Sequence, residues 1–201
     1  MLMTQKQPDW QWFWGGILMS PLGRLKWKFQ NRYHSRQYFK LLKGLKIKTA
    51  LELGGGSGYL AKIVADKLGF SLTILDSNPQ AKKVWQKISG TGEYILEDFF
   101  KFQTIKRWDL VFSDGVLEHF YKKGERIKLI KVHAQLSSKY IVIFVPQNSF
   151  LVRNFAHLPE HLGYEKLYTF AELEEEIKEA GLIPIKRAED CHEIGILAKK
   201  A

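Results

Sequence analysis

Ala50-Leu51-Glu52-Leu53-Gly54-Gly55-Gly56-Ser57-Gly58-Tyr59-Leu60 is the stretch on which the fold turns. A short apolar run enters a glycine cluster, and a pattern of helical period leaves it. Glycines accept backbone angles that other residues avoid, and they let a ligand come close to the main chain. A helix from about Tyr59 points its unpaired N–H groups and positive dipole end back at the loop. Strand, glycine turn and helix N-terminus together make an anion site, suited to a phosphate or a carboxylate.

Downstream, strand and helix patterns alternate. Thr49–Leu53 reads as a first strand, and Tyr59–Leu68 as a helix with Leu60, Ile63, Val64 and Leu68 inward. Ser71–Leu75 is a second strand ending at Asp76, and Asn78-Pro79 opens a helix through Ile88. Glu93–Leu96 and Asp109–Ser113 are further strands, and a helix follows from about Gly124 to Leu136. Tyr140–Val145 is nearly all apolar, as a central strand buried on both faces should be. An irregular segment runs from Pro146 to Tyr168, and Thr169 caps a helix to Ala180. Leu182–Lys186 and Glu193–Ala198 lie close enough in sequence to pair antiparallel. This βαβαβ order predicts a Rossmann-like, doubly wound α/β sheet with helices on both faces.

Upstream, Pro21 to Gly44 reads as a helix. Arg24, Lys28, Arg32, Arg36 and Lys40 recur every four residues and form one basic stripe, with Trp27, Tyr38, Leu41 and Leu42 available for an apolar side. Before it, Trp10, Trp12, Phe13 and Trp14 make an aromatic arm suited to packing over the domain or to a half-wet apolar contact. The expected organisation is an N-terminal aromatic and basic extension, residues 1–44, followed by a cofactor-binding domain, residues 45–201.

Composition supports a single core: 201 residues, 45% of them hydrophobic. Cys191 is the only cysteine, which excludes an intrachain disulfide and points to a reducing, cytoplasmic setting. Neither a secretory signal pattern nor a bilayer-spanning apolar run is present in this sequence. The net charge of +10 is local: no acidic residue lies between Asp9 and Glu52, and that interval holds nine of the 31 basic residues. An anionic partner, whether RNA or a membrane surface, would be sought on the basic helix, residues 24–48.

In open parallel sheets, ligands bind beyond the carboxyl ends of the strands. There the first strand supplies Glu52, Gly54, Gly55, Gly56 and Gly58. The second supplies Asp76, which can accept both hydroxyls of a ribose, with Ser77 beside it. The third leads to Asp98, an acceptor for an exocyclic amine, and Phe99, a ring that can stack. The fourth supplies Ser113 and Asp114. Together these describe a pocket for an adenosine with a negatively charged tail. Gly56-x-Gly58-x-x-Ala61, with Asp76 twenty residues after Gly56, also fits a dinucleotide fingerprint. Glu52 ahead of the glycines and the segment Val116-Leu117-Glu118-His119 point elsewhere.

On those residues, on Leu51–Gly58, Asp76, Asp98 and Asp109–His119, and on the ending Tyr168–Leu182, the chain resembles the class I S-adenosylmethionine-dependent methyltransferases. The likeness spans roughly residues 40–200. It implies a seven-stranded sheet, mostly parallel with an antiparallel last strand. It implies that Gly54–Gly58 holds the methionine part of S-adenosyl-L-methionine, Asp76 the ribose, and Asp98 with Phe99 the adenine edge. It does not name the methyl acceptor.

A hydroxyl acceptor would need a base. His119 is the expected catalytic residue, with His157 and His161 as further candidates. Leu117-Glu118-His119 also resembles a stretch of some ubiquinone-pathway O-methyltransferases, in which a nearby Glu joins the Glu and His around a divalent metal. Gly115 stands at that further position here, and His157 and His161 lack a third ligand, so no metal is expected. The Asn/Asp-Pro-Pro-Tyr/Phe motif of base amino methylation is absent after the fourth strand. The leading expectation is therefore methyl transfer to a small-molecule or lipid-like acceptor by a cytoplasmic or membrane-peripheral enzyme. An RNA methyltransferase using the basic helix, and a non-catalytic cofactor-binding or membrane-surface module, stand as alternatives.

Overall fold

The computed structural model describes residues 21–88, 92–150, 152–156 and 164–201. The aromatic arm, His157 and His161 lie outside them. A helix, α1 (Pro21–Leu42), leads into β1 (Thr49–Leu53), α2 (Tyr59–Leu68), β2 (Ser71–Asp76), α3 (Pro79–Ile88), β3 (Glu93–Leu96) and β4 (Trp108–Asp114). After a 3-10 turn at Leu117–His119 come α4 (Lys123–Leu136), β5 (Ser137–Pro146), a π-helical turn at Val152–Ala156, α5 (Phe170–Glu179), β6 (Leu182–Glu189) and β7 (Glu193–Lys200).

The seven strands form one sheet in the order β3-β2-β1-β4-β5-β7-β6. β1 to β5 pair in parallel, and β7 runs antiparallel between β5 and β6. The expected sheet is thus observed, with β5, β6 and β7 longer than their apolar runs indicated. Those extra residues are held by pairing outside any apolar run: Glu189 pairs with Ile194, and Pro146 with Glu193. The direction of β7 places a side chain at the ligand edge. An antiparallel strand starts where its parallel neighbours end, so Glu193 stands at the carboxyl edge of the sheet.

Side chains alternate along each strand and feed two apolar layers. One contains Ala50, Ile74, Phe112 and Phe144 beneath Tyr38, Leu41, Leu60, Val64 and Trp85 of α1, α2 and α3. The other contains Leu51, Leu53, Val111 and Ile143 beneath Leu129, Ile130, Leu173 and Ile177 of α4 and α5. The C-terminal half of α1 therefore belongs to the core, since Tyr38 and Leu41 are fully buried. In α2 the buried side is Leu60, Ala61, Val64 and Ala65, and Leu68, expected inward, is 37% exposed. Leu68 is the last residue of the helix, where the buried side ends.

Thr169 caps α5 as expected. Its side chain accepts from the N–H of Glu172, and the Glu172 carboxylate accepts from the N–H of Thr169. The irregular segment is closed at its base, where Tyr168 donates to the Pro146 carbonyl and Asn148 donates to that of Tyr168.

Candidate active site

The glycine loop joins β1 to α2 and turns on three positive-φ residues, Gly54 (67°), Gly56 (54°) and Gly58 (61°). Side chains would also collide there. A Cβ on Gly55 would lie 2.4 Å from Glu52 Oε2, and one on Gly58 2.5 Å from the Trp85 ring. The loop is latched to β2: Gly56 N–H donates to Asp76 Oδ2 at 2.8 Å, and Asn78 N–H to Asp76 Oδ1 at 2.7 Å. Burial raises the Asp76 pKa, and these two donors oppose the rise. Each Asp76 oxygen retains a second acceptor direction.

Glu52 and Asp114 share the α1 face of the sheet, because Glu52 is in register with Phe112 and side chains alternate. Glu52 is 3% exposed, and its Oε2 receives no hydrogen bond. Burial, then the charges of Asp114 and Asp76, push its pKa well up. Glu118, 2% exposed, also has an Oε2 without a donor, and the buried Glu193 Oε2 shares the His34 ring nitrogen, 2.8 Å away, with Asp114. Unpaired buried carboxylates are costly. Gathered at the strand ends, they fit a ligand that brings positive charge.

α1 supplies a group that the sequence reading did not single out. His34 lies over the ends of β4 and β7, with Nδ1 2.6 Å from Asp190 Oδ2 and Nε2 2.9 Å from Asp114 Oδ2. Tyr38 donates to the same Asp114 oxygen at 2.9 Å. Burial opposes charging His34, yet Glu193, Asp114 and Asp190 together hold its pKa well above the ordinary value. Its ring packs edge-on to Phe144, 4.7 Å between centroids, and Gly195 leaves the space that the Phe144 ring occupies. One signal was present: His34, Tyr38, Leu41 and Leu42 follow the i, i+4, i+7, i+8 spacing of a buried helical face.

His119 is mostly buried. Its Nδ1 is 3.0 Å from the Tyr164 carbonyl, which can only accept, so Nδ1 carries the proton and Nε2 the lone pair. Burial lowers its pKa below the ordinary value. Nε2 lies 3.8 Å from Glu118 Oε1. Asp98 ends the β3 connection as a turn, its Oδ1 accepting from Phe100 N–H, and Phe99 packs among Phe100 and Phe120. Ser77 is exposed beside Asp76.

Ser113 departs from expectation. It is fully buried on the α4 face, with its hydroxyl 2.9 Å from His133 Nε2. Adjacent residues on a strand face opposite ways, so Ser113 and Asp114 cannot both present side chains to one site. His133 Nδ1 donates to the Leu129 carbonyl, leaving Nε2 to accept from Ser113. Burial lowers the His133 pKa to about 4. The unfolded chain takes up this proton near pH 6.5, the native protein only near 4, so stability is full above 6.5 and lost as pH falls between them. That difference corresponds to about 3 kcal/mol. Urea unfolding across this range should show an acid-side loss in the native sequence that His133→Gln lacks.

The basic stripe is turned outward, with Lys28, Arg32, Arg36 and Lys40 exposed. Among the described residues, no helix is long and apolar enough to cross a membrane.

No protein-family model and no curated protein sequence matches the chain. Solved structures do. Magnesium protoporphyrin IX methyltransferase from Synechocystis, with bound S-adenosylhomocysteine, superposes with a TM-score of 0.66 at 15% identity, covering 96% of this chain and 93% of that one. The N-methyltransferase NodS from Bradyrhizobium japonicum, in complex with S-adenosylhomocysteine, gives 0.65 at 15% identity over 86% and 87%. A 1,6-didemethyltoxoflavin-N1-methyltransferase from Burkholderia thailandensis, with that substrate and S-adenosylhomocysteine bound, gives 0.66 at 19% identity over 89% and 82%. With β7 antiparallel between β5 and β6 and a glycine loop after β1, this chain has the fold of the class I S-adenosylmethionine-dependent methyltransferases.

Proposed function

We propose that the protein is an S-adenosylmethionine-dependent methyltransferase acting on a small-molecule acceptor. The observation that carries this reading is the glycine cradle between two carboxylates, the buried Glu52 with an unsatisfied oxygen and the half-buried Asp76 latched to the loop. The group they fit bears an ammonium, a carboxylate and a sulfonium beside a ribose. When bound, it supplies an already activated methyl group. Two of the structural neighbours act on a porphyrin and on a toxoflavin precursor, which supports a small molecule over RNA.

In this reading the backbone of Gly54–Gly58 receives the methionine part, and Glu52 offsets its positive charge. Asp76 accepts from the ribose, and Asp98 and Phe99 border the adenine. What remains for the protein is to orient the acceptor and exclude water. His119 is the base for a hydroxyl acceptor: its Nδ1–H is fixed on Tyr164, its lone pair lies on Nε2, and it is neutral at pH 7. Nitrogen-15 NMR should find the Nδ1–H tautomer and a titration midpoint below 6.5. A midpoint above about 7, beyond the ordinary histidine value, would remove His119 from this role.

Calorimetry with S-adenosylhomocysteine tests the whole reading. One equivalent should bind, and no heat of binding at millimolar ligand would refute it. Incubation with methyl-labelled cofactor and candidate metabolites then identifies the acceptor.

A further inference from the structure

We propose that His34, Asp114 and Glu193 bind one divalent transition-metal ion, with Zn2+ the leading occupant. The three residues come from the middle of α1, the end of β4 and the start of β7. Their ligand atoms all lie within 4.8 Å of one another. Nε2 of His34 is 2.9 Å from Asp114 Oδ2 and 2.8 Å from Glu193 Oε2.

Hydrogen bonding alone leaves this cluster incomplete. An imidazole nitrogen carries at most one hydrogen, and that of Nε2 serves Asp114. Glu193 Oε2 lies as close to the same nitrogen, at 2.8 Å, so the one hydrogen cannot serve both oxygens at once. A cation shared by the three atoms serves both. Glu118, its side chain 3% exposed, holds a further carboxylate oxygen without a donor. One imidazole cannot neutralise this group of carboxylates, whereas a dication can.

The surroundings are those of a built ligand set. Metal-binding histidines usually donate their other ring N–H to a carboxylate, which fixes the tautomer and the ring direction. Here Asp190 Oδ2 takes Nδ1–H at 2.6 Å from a side chain only 3% exposed. Asp190 is itself held by the N–H groups of His192 and Glu193, both at 2.9 Å. Asp114 has an outer partner too, the Tyr38 hydroxyl. One imidazole nitrogen with two carboxylate oxygens suits Zn2+ or Mn2+ better than thiolate-seeking ions. Three protein ligands leave a position for water or for an oxygen of a bound molecule. Binding requires Nε2 to release its proton. Glu118 and His119 are not part of the set whose ligand atoms converge within 4.8 Å.

The proposal does not depend on the methyltransferase reading. The full chain, freed of metal with a chelator, is titrated calorimetrically with ZnCl2. One equivalent should bind. His34→Gln and Glu193→Gln should each weaken binding at least tenfold, and Asp190→Asn by about 10- to 100-fold, as loss of an outer-shell partner does. Cys191→Ser should leave binding unchanged. Circular dichroism checks that each variant folds. Should His34→Gln fail to fold, pulsed electron paramagnetic resonance of Mn2+ on the native sequence should show coupling to one imidazole nitrogen. Absent stoichiometric binding, binding unaltered by Glu193→Gln and Asp190→Asn, or no nitrogen coupling would each overturn the site. S-adenosylhomocysteine is titrated separately into the metal-free chain, so failure of the cofactor reading and failure of the metal site are distinguished.

Discussion

Replacing Asp76 with alanine is expected to weaken S-adenosylhomocysteine binding by two to three orders of magnitude. Two losses combine. The carboxylate no longer accepts from the ribose, and the loop loses its latch, since Gly56 N–H donates to Asp76 Oδ2. Hydrogen bonds to a charged group are each worth about 1.5–3 kcal/mol, and about 1.4 kcal/mol is tenfold in affinity. Asp76→Asn keeps one carbonyl acceptor and should fall between the two. Calorimetry reads all three proteins under one set of conditions. A loss under threefold for Asp76→Ala would mean that the ribose is held elsewhere.

Arg126→Leu is expected to lower global stability by about 3–5 kcal/mol, the usual result of stripping one partner from a buried ion pair. Arg126 and Glu176 side chains are 7% and 4% exposed, and Nη2 meets Oε1 at 2.7 Å. Arg126 also donates to the carbonyls of Phe120 and Tyr121, while the Tyr168 hydroxyl donates to Glu176. The pair therefore ties α4 to α5, to the chain just after His119 and to the base of the irregular segment. Leucine would leave the Glu176 carboxylate buried without its counter-ion and two carbonyls without a donor. Adding Glu176→Leu should restore much of the loss, because the uncompensated charge goes with it. Denaturant midpoints of the single and double variants measure this. A single-variant loss under about 1 kcal/mol, the range of exposed pairs, would show that water reaches the pair.

Much of the architecture was legible because it is written locally. Strand, glycine turn and helix follow one another within eleven residues at Ala50–Leu60, and the later strands carry their own apolar runs and turn residues. The positions of Glu52, Asp76 and Asp98 at strand ends could be read off the chain because parallel strands all end on one edge. Strand parity separates Ser113 from Asp114: the two face opposite sides of β4, and the Ser113 hydroxyl meets His133 instead.

His34 was hidden for a different reason. It sits among exposed lysines and arginines, and a helix with so many charges reads as solvated. Its partners Asp114 and Asp190 lie 80 and 156 residues away. Glu193 reaches the site only because β7 is antiparallel and begins at the edge where β5 ends.

The sequence by itself determined the order of strands and helices, the glycine loop and the acidic residues at the ends of β1 and β2. Those features depend on residues close in the chain and on the period of their burial. Only the tertiary structure decided that α1 packs its His34 and Tyr38 over Asp114, that Glu193 meets the same His34 nitrogen, and that buried carboxylate oxygens of Glu52 and Glu118 are left without donors. That arrangement arises from packing between elements far apart in sequence, where hydrophobic contact sets position and no local pattern records which polar groups then meet.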